Sequence, residues 1–255
     1  MNRIIKFIII DIVKNKIVVA YLLLLSVFSW SIFGLEDNAS KGVLTLLNVM
    51  LLVVPLVSIM FSTIYIYNSS EFIDLMLSQP VKRNKIWVSL FIGLSLSQIL
   101  AFLIGTGIPL LLLAPIGIAL SMMGIGGIIT IIFIALAFFA AAKTNDKSKG
   151  IGISIMLWLY FALLFDGIVL FILFQFADYP IEKLMIGVSM LSPIDMARIL
   201  ILLQLDVSAL LGYTGAIFND FFGTIYGSII STIVLVLWAF CPFYFSLLIF
   251  NKKDL

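Results

Sequence analysis

The chain has 255 residues, of which 63% are apolar before glycine is counted and only 11% are charged, with 15 Lys and Arg against 13 Asp and Glu. Soluble domains carry about 25% charged residues, so a water-facing surface cannot be covered here, and the near-neutral balance implies no nucleic-acid partner. With no His and a single Cys, Cys241, the commonest catalytic base, an internal disulfide and a thiolate metal cluster are all excluded.

At the start of the chain, residues 1–16 are too charged to cross a bilayer and too greasy to stand free in water. Arg3, Lys6, Asp11 and Lys14 fall on one stripe of an otherwise apolar helix, which predicts an interfacial amphipathic helix; the alternative is a frayed basic lead-in to the first span. Crossing the hydrocarbon takes about 20 residues, so each uncharged gap can be counted in spans. Ile17 to Leu35 and Gly42 to Ser70 hold one each. The first is read as a retained anchor rather than a cleaved leader, because no small-residue cleavage site follows it.

Between the second and third spans, residues 68–86 form a cytoplasmic segment. Asn68 and Glu71 have capping-box spacing, Phe72, Leu75 and Met76 make an i, i+3, i+4 apolar stripe, and Pro80 closes the helix before Lys82, Arg83 and Lys85. A short amphipathic helix of this kind either docks in a groove of a cytoplasmic partner or is an interfacial loop whose cations fix topology.

Ile86 to Ala142 contains no charge and is too long for one crossing. Two spans are expected, near Trp87–Leu111 and Ile125–Ala142, broken by Pro109, Pro115, Gly117, Gly124, Gly126 and Gly127. The third span carries Ser89, Gly93, Ser97, Ala101 and Gly105 at four-residue spacing, a stripe that admits a close helix neighbour. Gly150 to Ala177 is the fifth span and contains Asp166 near its middle, where a charge costs about 2.5–3.5 kcal/mol on insertion scales. Three states are open to it: protonated and bonded to a group such as Tyr160, Gln98 or Gln175, paired, or ionised in a wet cavity.

Residues 178–220 form the largest external piece, ahead of the sixth span from Phe221 to Asn251. Ser192, Pro193 and Asp195 fit N-cap, N1 and N3 of a helix, Asp195 and Arg198 are an i, i+3 pair, and Gly212 and Gly215 turn the chain. The apolar residues from Ile194 to Leu203 place this helix at the outer membrane surface or against a second copy. Met122, Met123, Met185, Met190 and Met196 lie toward the same side, where thioethers either fill packing or touch a soft metal ion.

Six spans put both termini on one side. Twelve of the 15 cations fall in the terminal segments and the loops on that side, against Lys41, Lys183 and Arg198 on the other, and the positive-inside rule makes it the cytoplasm. The expected fold is all-α, a single transmembrane domain over 1–255 surrounded by membrane lipid. No Walker-type phosphate loop, clustered acids or inverted repeat is present. Catalytic, cofactor and metal residues are therefore not expected, and any driving energy must come from another subunit.

The tract Glu71 to Lys85, with LSQPVKR at its centre, resembles the E…LL-S-x-P-V-x-R stretch of ABC-2 type permeases, although the acidic and Gly-Thr residues often found near its start are missing. The tract Ser192 to Gly223 is similar to that of the branch serving the copper centres of nitrous oxide reductase. The resemblance implies a type V exporter-like half-transporter of a bacterial inner membrane, a homodimer with two cytoplasmic ATPase subunits that hold the ATP, and a periplasmic copper-handling partner. It also implies that Glu71, Phe72, Leu75, Met76, Pro80 and Arg83 belong to the coupling helix. The resemblance implies either transport of a sulfur or copper species or mechanical signalling to the periplasmic partner. An exporter of lipid, polysaccharide or drug would share everything except the Ser192 to Gly223 tract and lack the periplasmic partner, whereas an ATPase-free membrane scaffold would co-purify with no ATPase.

Overall fold

The computed structural model describes residues 2–36, 38–176, 182–205 and 225–252, which are helical throughout their regular parts, with no strand among them. Helix α1 (Asn2–Val13) leads into α2 (Lys16–Leu35), and Asn15 separates them by accepting from the Ile17 amide at 2.9 Å. Asn38 caps α3 (Ala39–Asn68) in the same way, accepting from the Ser40 amide. Then follow the short α4 (Ser70–Leu77), α5 (Arg83–Leu113), α6 (Ile116–Lys143) and α7 (Lys147–Gln175). Two short helices, α8 (Glu182–Ser189) and α9 (Pro193–Gln204), precede α10 (Ile225–Lys252). Six helices, α2, α3, α5, α6, α7 and α10, are long and apolar enough to cross a membrane.

The break between the third and fourth spans is narrower than the sequence suggests. Only Ala114 and Pro115 separate α5 from α6, and Gly117, Gly124, Gly126 and Gly127 all lie inside α6. Glycine is tolerated in membrane helices where it lets another helix approach. At Gly126 the Phe102 ring occupies the space a Cβ would need. Pro109 does not end α5 either. It has no amide to meet the Gly105 carbonyl, and a π-helical turn at Leu103–Gly107 takes up the difference.

Helix α6 is the central post, buried on all sides from Ile132 to Phe138 and packed by α3, α5, α7, α9 and α10. The small-residue stripe of α5 is spent inside the chain: Gly93 faces Ile8 of α1, and Gly105 faces the Leu22 carbonyl and Leu25 of α2. Helix α1 is thereby seated on the bundle, with Ile8 and Ile12 buried and Asp11 accepting from the Tyr65 hydroxyl at 3.0 Å. The last helix closes at the same end, where Trp87 stacks on Phe250 at 4.2 Å and donates to the Ser246 hydroxyl at 3.1 Å. Both chain ends and α4 therefore share one end of the bundle, called the terminal end below.

Helix α9 corrects the expectation of a surface or intersubunit element. Ile194, Met196, Ala197 and Ile201 are buried within the chain, against α3, α6 and α10. An apolar run of this length gains more by filling the gap at the top of the bundle than by lying on it. Met122, Met185 and Met196 are buried with it and serve as packing.

Candidate functional site

Two polar sites stand at opposite ends. At the terminal end, α4 follows α3 after a single residue, Ser69, whose amide bonds back to the Tyr65 carbonyl at 2.9 Å. The Asn68 and Glu71 capping box does not form. Asn68 is the last residue of α3, and its side chain instead accepts from the Lys147 ammonium at 2.7 Å, while Ser69 takes the N-cap position without a side-chain bond. A charge-assisted bond to a lysine outcompetes a neutral local cap. Glu71 sits exposed in the first turn of α4, where its charge favours the helix N-terminus.

The predicted stripe of Phe72, Leu75 and Met76 is divided. Ile73 is buried and Met76 and Leu77 pack on the core, whereas Leu75 is 64% exposed and Phe72 is half-buried. Helix α4 thus turns Ile73 inward and offers Leu75 outward, with Glu71 and Asp74 also exposed. Pro80 lies exposed in the turn after the helix and Arg83 opens α5, half-buried. Beside Ile73 is a cavity of about 190 Å³ lined by residues that include Tyr67, Asp74, Trp87, Thr144 and Phe250.

Sequence reasoning misses the anchor of this end. The Tyr67 hydroxyl donates to the Thr144 carbonyl at 3.0 Å, and its ring covers Gly150 so closely that any Cβ there would overlap it. Asp146 begins α7 by accepting from the amides of Ser148 and Lys149. Tyrosine over glycine at a separation of 83 residues leaves no local pattern to find.

At the other end, Asp166 of α7 meets Arg198 of α9, with 3.1 Å between the Arg198 guanidinium and the nearer carboxylate oxygen. The same guanidinium nitrogen reaches Asp195 at 3.4 Å, and the Arg198 Nε is buried with no partner among the described residues. Of the three states open to Asp166, pairing is the one adopted, and neither Tyr160, Gln98 nor Gln175 is its partner; the Gln98 amide donates to Ser62 at 2.9 Å. The ordering cause is Arg198, carried to this depth because α9 is buried. Ser192 caps α9 by accepting from the Asp195 amide at 3.2 Å, and Pro193 takes the first helical position.

Asp195 is buried, and its pKa is pushed up to about 7 by that burial first and by the neighbouring Asp166 carboxylate second, against the opposing pull of Arg198. The cluster floors a cavity of about 260 Å³ whose walls include Val169, Leu173, Met185 and Ile199. Gly212 and Gly215 lie outside the described residues.

A family profile described as "ABC-2 family transporter protein" matches residues 7–255. The chain is 27% identical over 220 residues to a protein of Pseudomonas aeruginosa named "Probable ABC transporter permease protein NosY", covering 78% of this chain and 80% of that protein. A protein of the same name from Stutzerimonas stutzeri is 26% identical over 211 residues, covering 74% of this chain and 76% of its own length.

Proposed function

The chain belongs to the ABC-2 transporter family, and from that premise we propose that it is the permease of a complex that couples ATP hydrolysis to maturation of the copper centres of nitrous oxide reductase. Proteins of this family are multi-pass permeases of the bacterial inner membrane; they are generally non-catalytic, work with an ATPase partner and are usually dimers. The finer reading rests on one observation, the two similar proteins named NosY that align with 78% and 74% of the chain. The likeness of the Ser192 to Gly223 tract to that branch adds to it.

In this reading two copies of the chain bind two ATPase subunits at the terminal end, which faces the cytoplasm; the 12 to 3 division of the cations along the sequence supports that orientation. Helix α4 is the coupling helix, with Leu75 as its outward knob. Spans five and six, the least buried of the six, supply the faces for the second copy and for lipid. The opposite end meets a periplasmic copper-handling protein, and either a sulfur or copper species crosses or the motion itself is the message.

The test is a strain lacking this gene and making nitrous oxide reductase. Restored copper content in the reductase on supplying the wild-type gene, and not on supplying one whose ATPase partner has lost its phosphate-loop lysine, is the expected result. A fully copper-loaded reductase in the deletion strain would return the chain to the wider exporter class.

A further inference from the structure

Spans two and five are joined at three levels from the terminal end inward. The Tyr67 ring of α3 seats on Gly150 of α7, Thr63 and Ser154 share a hydrogen bond of 2.7 Å, and the Trp158 indole donates to the Leu52 carbonyl at 3.2 Å. Beyond Trp158 span five takes a π-helical turn at Tyr160–Leu164, and its outer half leaves the bundle, with Phe171 and Phe174 exposed by 67% and 81%. Among the described residues, the polar contacts of the outer half, Phe165–Gln175, to another element are those of Asp166 with Arg198 and Asp195 of α9.

We propose that span five is a relay that carries movement of α4 to α9, with Tyr67 on Gly150 as its joint at the terminal end and Asp166 with Arg198 as its joint at the other. The proposal rests on the coupling reading of α4 above, and it names positioning residues for that coupling. Helix α4 is bonded to α3 across Ser69, so tilting it levers the last turn of α3, which holds both Tyr67 and Asn68. A close-packed contact does not compress, and the glycine slot leaves the ring no slack, so the push passes into the first turn of α7. The bonds at Ser154 and Trp158 keep α7 in register with α3 over the following turns. In the outer half, where few apolar contacts bind span five to its own bundle, the contacts of Asp166 with Arg198 and Asp195 are the polar ones that pass that displacement on to α9. Helix α9 is buried against α6 and α10, so a displacement reaching it enters close-packed surroundings that pass it on.

The experiment uses the complete complex of permease and ATPase in liposomes, in a Cys241→Ala background with a reporter Leu191→Cys at the exposed outer turn between α8 and α9. Thiol-labelling rates are compared without nucleotide and after trapping with ATP and vanadate. In the parent, trapping changes the rate about fivefold or more, within the usual range of coupling energies. Tyr67→Ala and Asp166→Leu, which leaves Arg198 no acceptor at that position, each bring that ratio to unity with the complex still assembled. The double variant is no worse than either, because two joints in series need be broken only once.

Two variants separate a relay from general damage. Tyr67→Phe keeps the ring in its slot and retains the response. Asp166→Arg combined with Arg198→Asp restores the pair and recovers the response that each single reversal loses. A full nucleotide response in assembled Tyr67→Ala or Asp166→Leu would overturn the relay and leave α4 as the coupling helix. Failure of the ATPase to co-purify, or a parent without any response, would overturn the coupling reading and the relay with it.

Discussion

Asp166 and Arg198 stand 32 residues apart in the chain and 3.1 Å apart in space, and neither is where an isolated charge would be stable. Each answers the other's desolvation, and Asp195 shares the same guanidinium nitrogen at 3.4 Å. Their side chains are still 36% and 31% exposed, which reduces the strength of the pair below that of a fully enclosed one. Replacing Asp166 with Leu should cost about 1–3 kcal/mol, because the guanidinium keeps only the longer contact to Asp195. Asp166→Asn, which can still accept one hydrogen bond, should cost less. Thermal unfolding in detergent measures both, and a Leu variant as stable as the parent would mean that the pair does not hold span five to α9.

The position of Asp195 makes stability depend on pH with a defined sign. Its native pKa of about 7 exceeds the ordinary value of 3.8, so between those limits the native state binds more protons than the unfolded chain. Stability from this group is therefore present at low pH and lost as the pH rises through 7. Asp195→Asn cannot titrate and should flatten that component between pH 3.8 and about 7, read as the difference in melting temperature between variant and parent. A difference that grows in the opposite direction would show that Arg198 outweighs burial and holds Asp195 ionised.

What could be read from the sequence divides by range of interaction. The six spans follow from gaps between charges, and the start of α9 from Ser192, Pro193 and Asp195, because each depends on neighbours within one turn or on a count along the chain. The extent of the fourth span does not, since Gly124, Gly126 and Gly127 look like a break until Phe102 is seen filling the space over Gly126. Asn68 resembles a cap because Glu71 is near in sequence, yet Lys147 reaches it from 79 residues away. Both joints of span five are of this second kind. Arg198 in an apolar run was a visible signal for one of them, whereas Tyr67 and Gly150 carried none.

Orientation is tested by single cysteines in a Cys241→Ala background. Ser40→Cys and Leu191→Cys occupy exposed positions away from the terminal end, and Asn84→Cys and Ser148→Cys occupy exposed positions at it. With the cations held inside, the first two should react with an impermeant maleimide added to whole cells with a permeable outer membrane, and the last two only after lysis. Reaction of Asn84→Cys in intact cells would invert the molecule or remove a span.

Leu75 supplies the sharpest test of α4. It is 64% exposed at the outward face of the helix, one turn on from Glu71, while Ile73 holds the helix to its own chain. A leucine so placed contributes little to the fold of the isolated subunit, because its surface is already outside the packed bundle. Buried in a partner's groove, it would contribute about 1.5–3 kcal/mol of apolar contact, and a carboxylate in its place would carry an unpaired charge into that groove. Leu75→Asp should therefore insert, dimerise and melt like the parent, yet bind the ATPase at least about tenfold more weakly, equal to the loss of 1.4 kcal/mol. Reductase copper loading should fall with it. Ile73→Asp is the contrasting variant, for it buries a charge within the chain and should lower stability before any partner is added. Unchanged ATPase affinity and copper loading in Leu75→Asp would make α4 an interfacial loop whose lysines and arginine only fix topology.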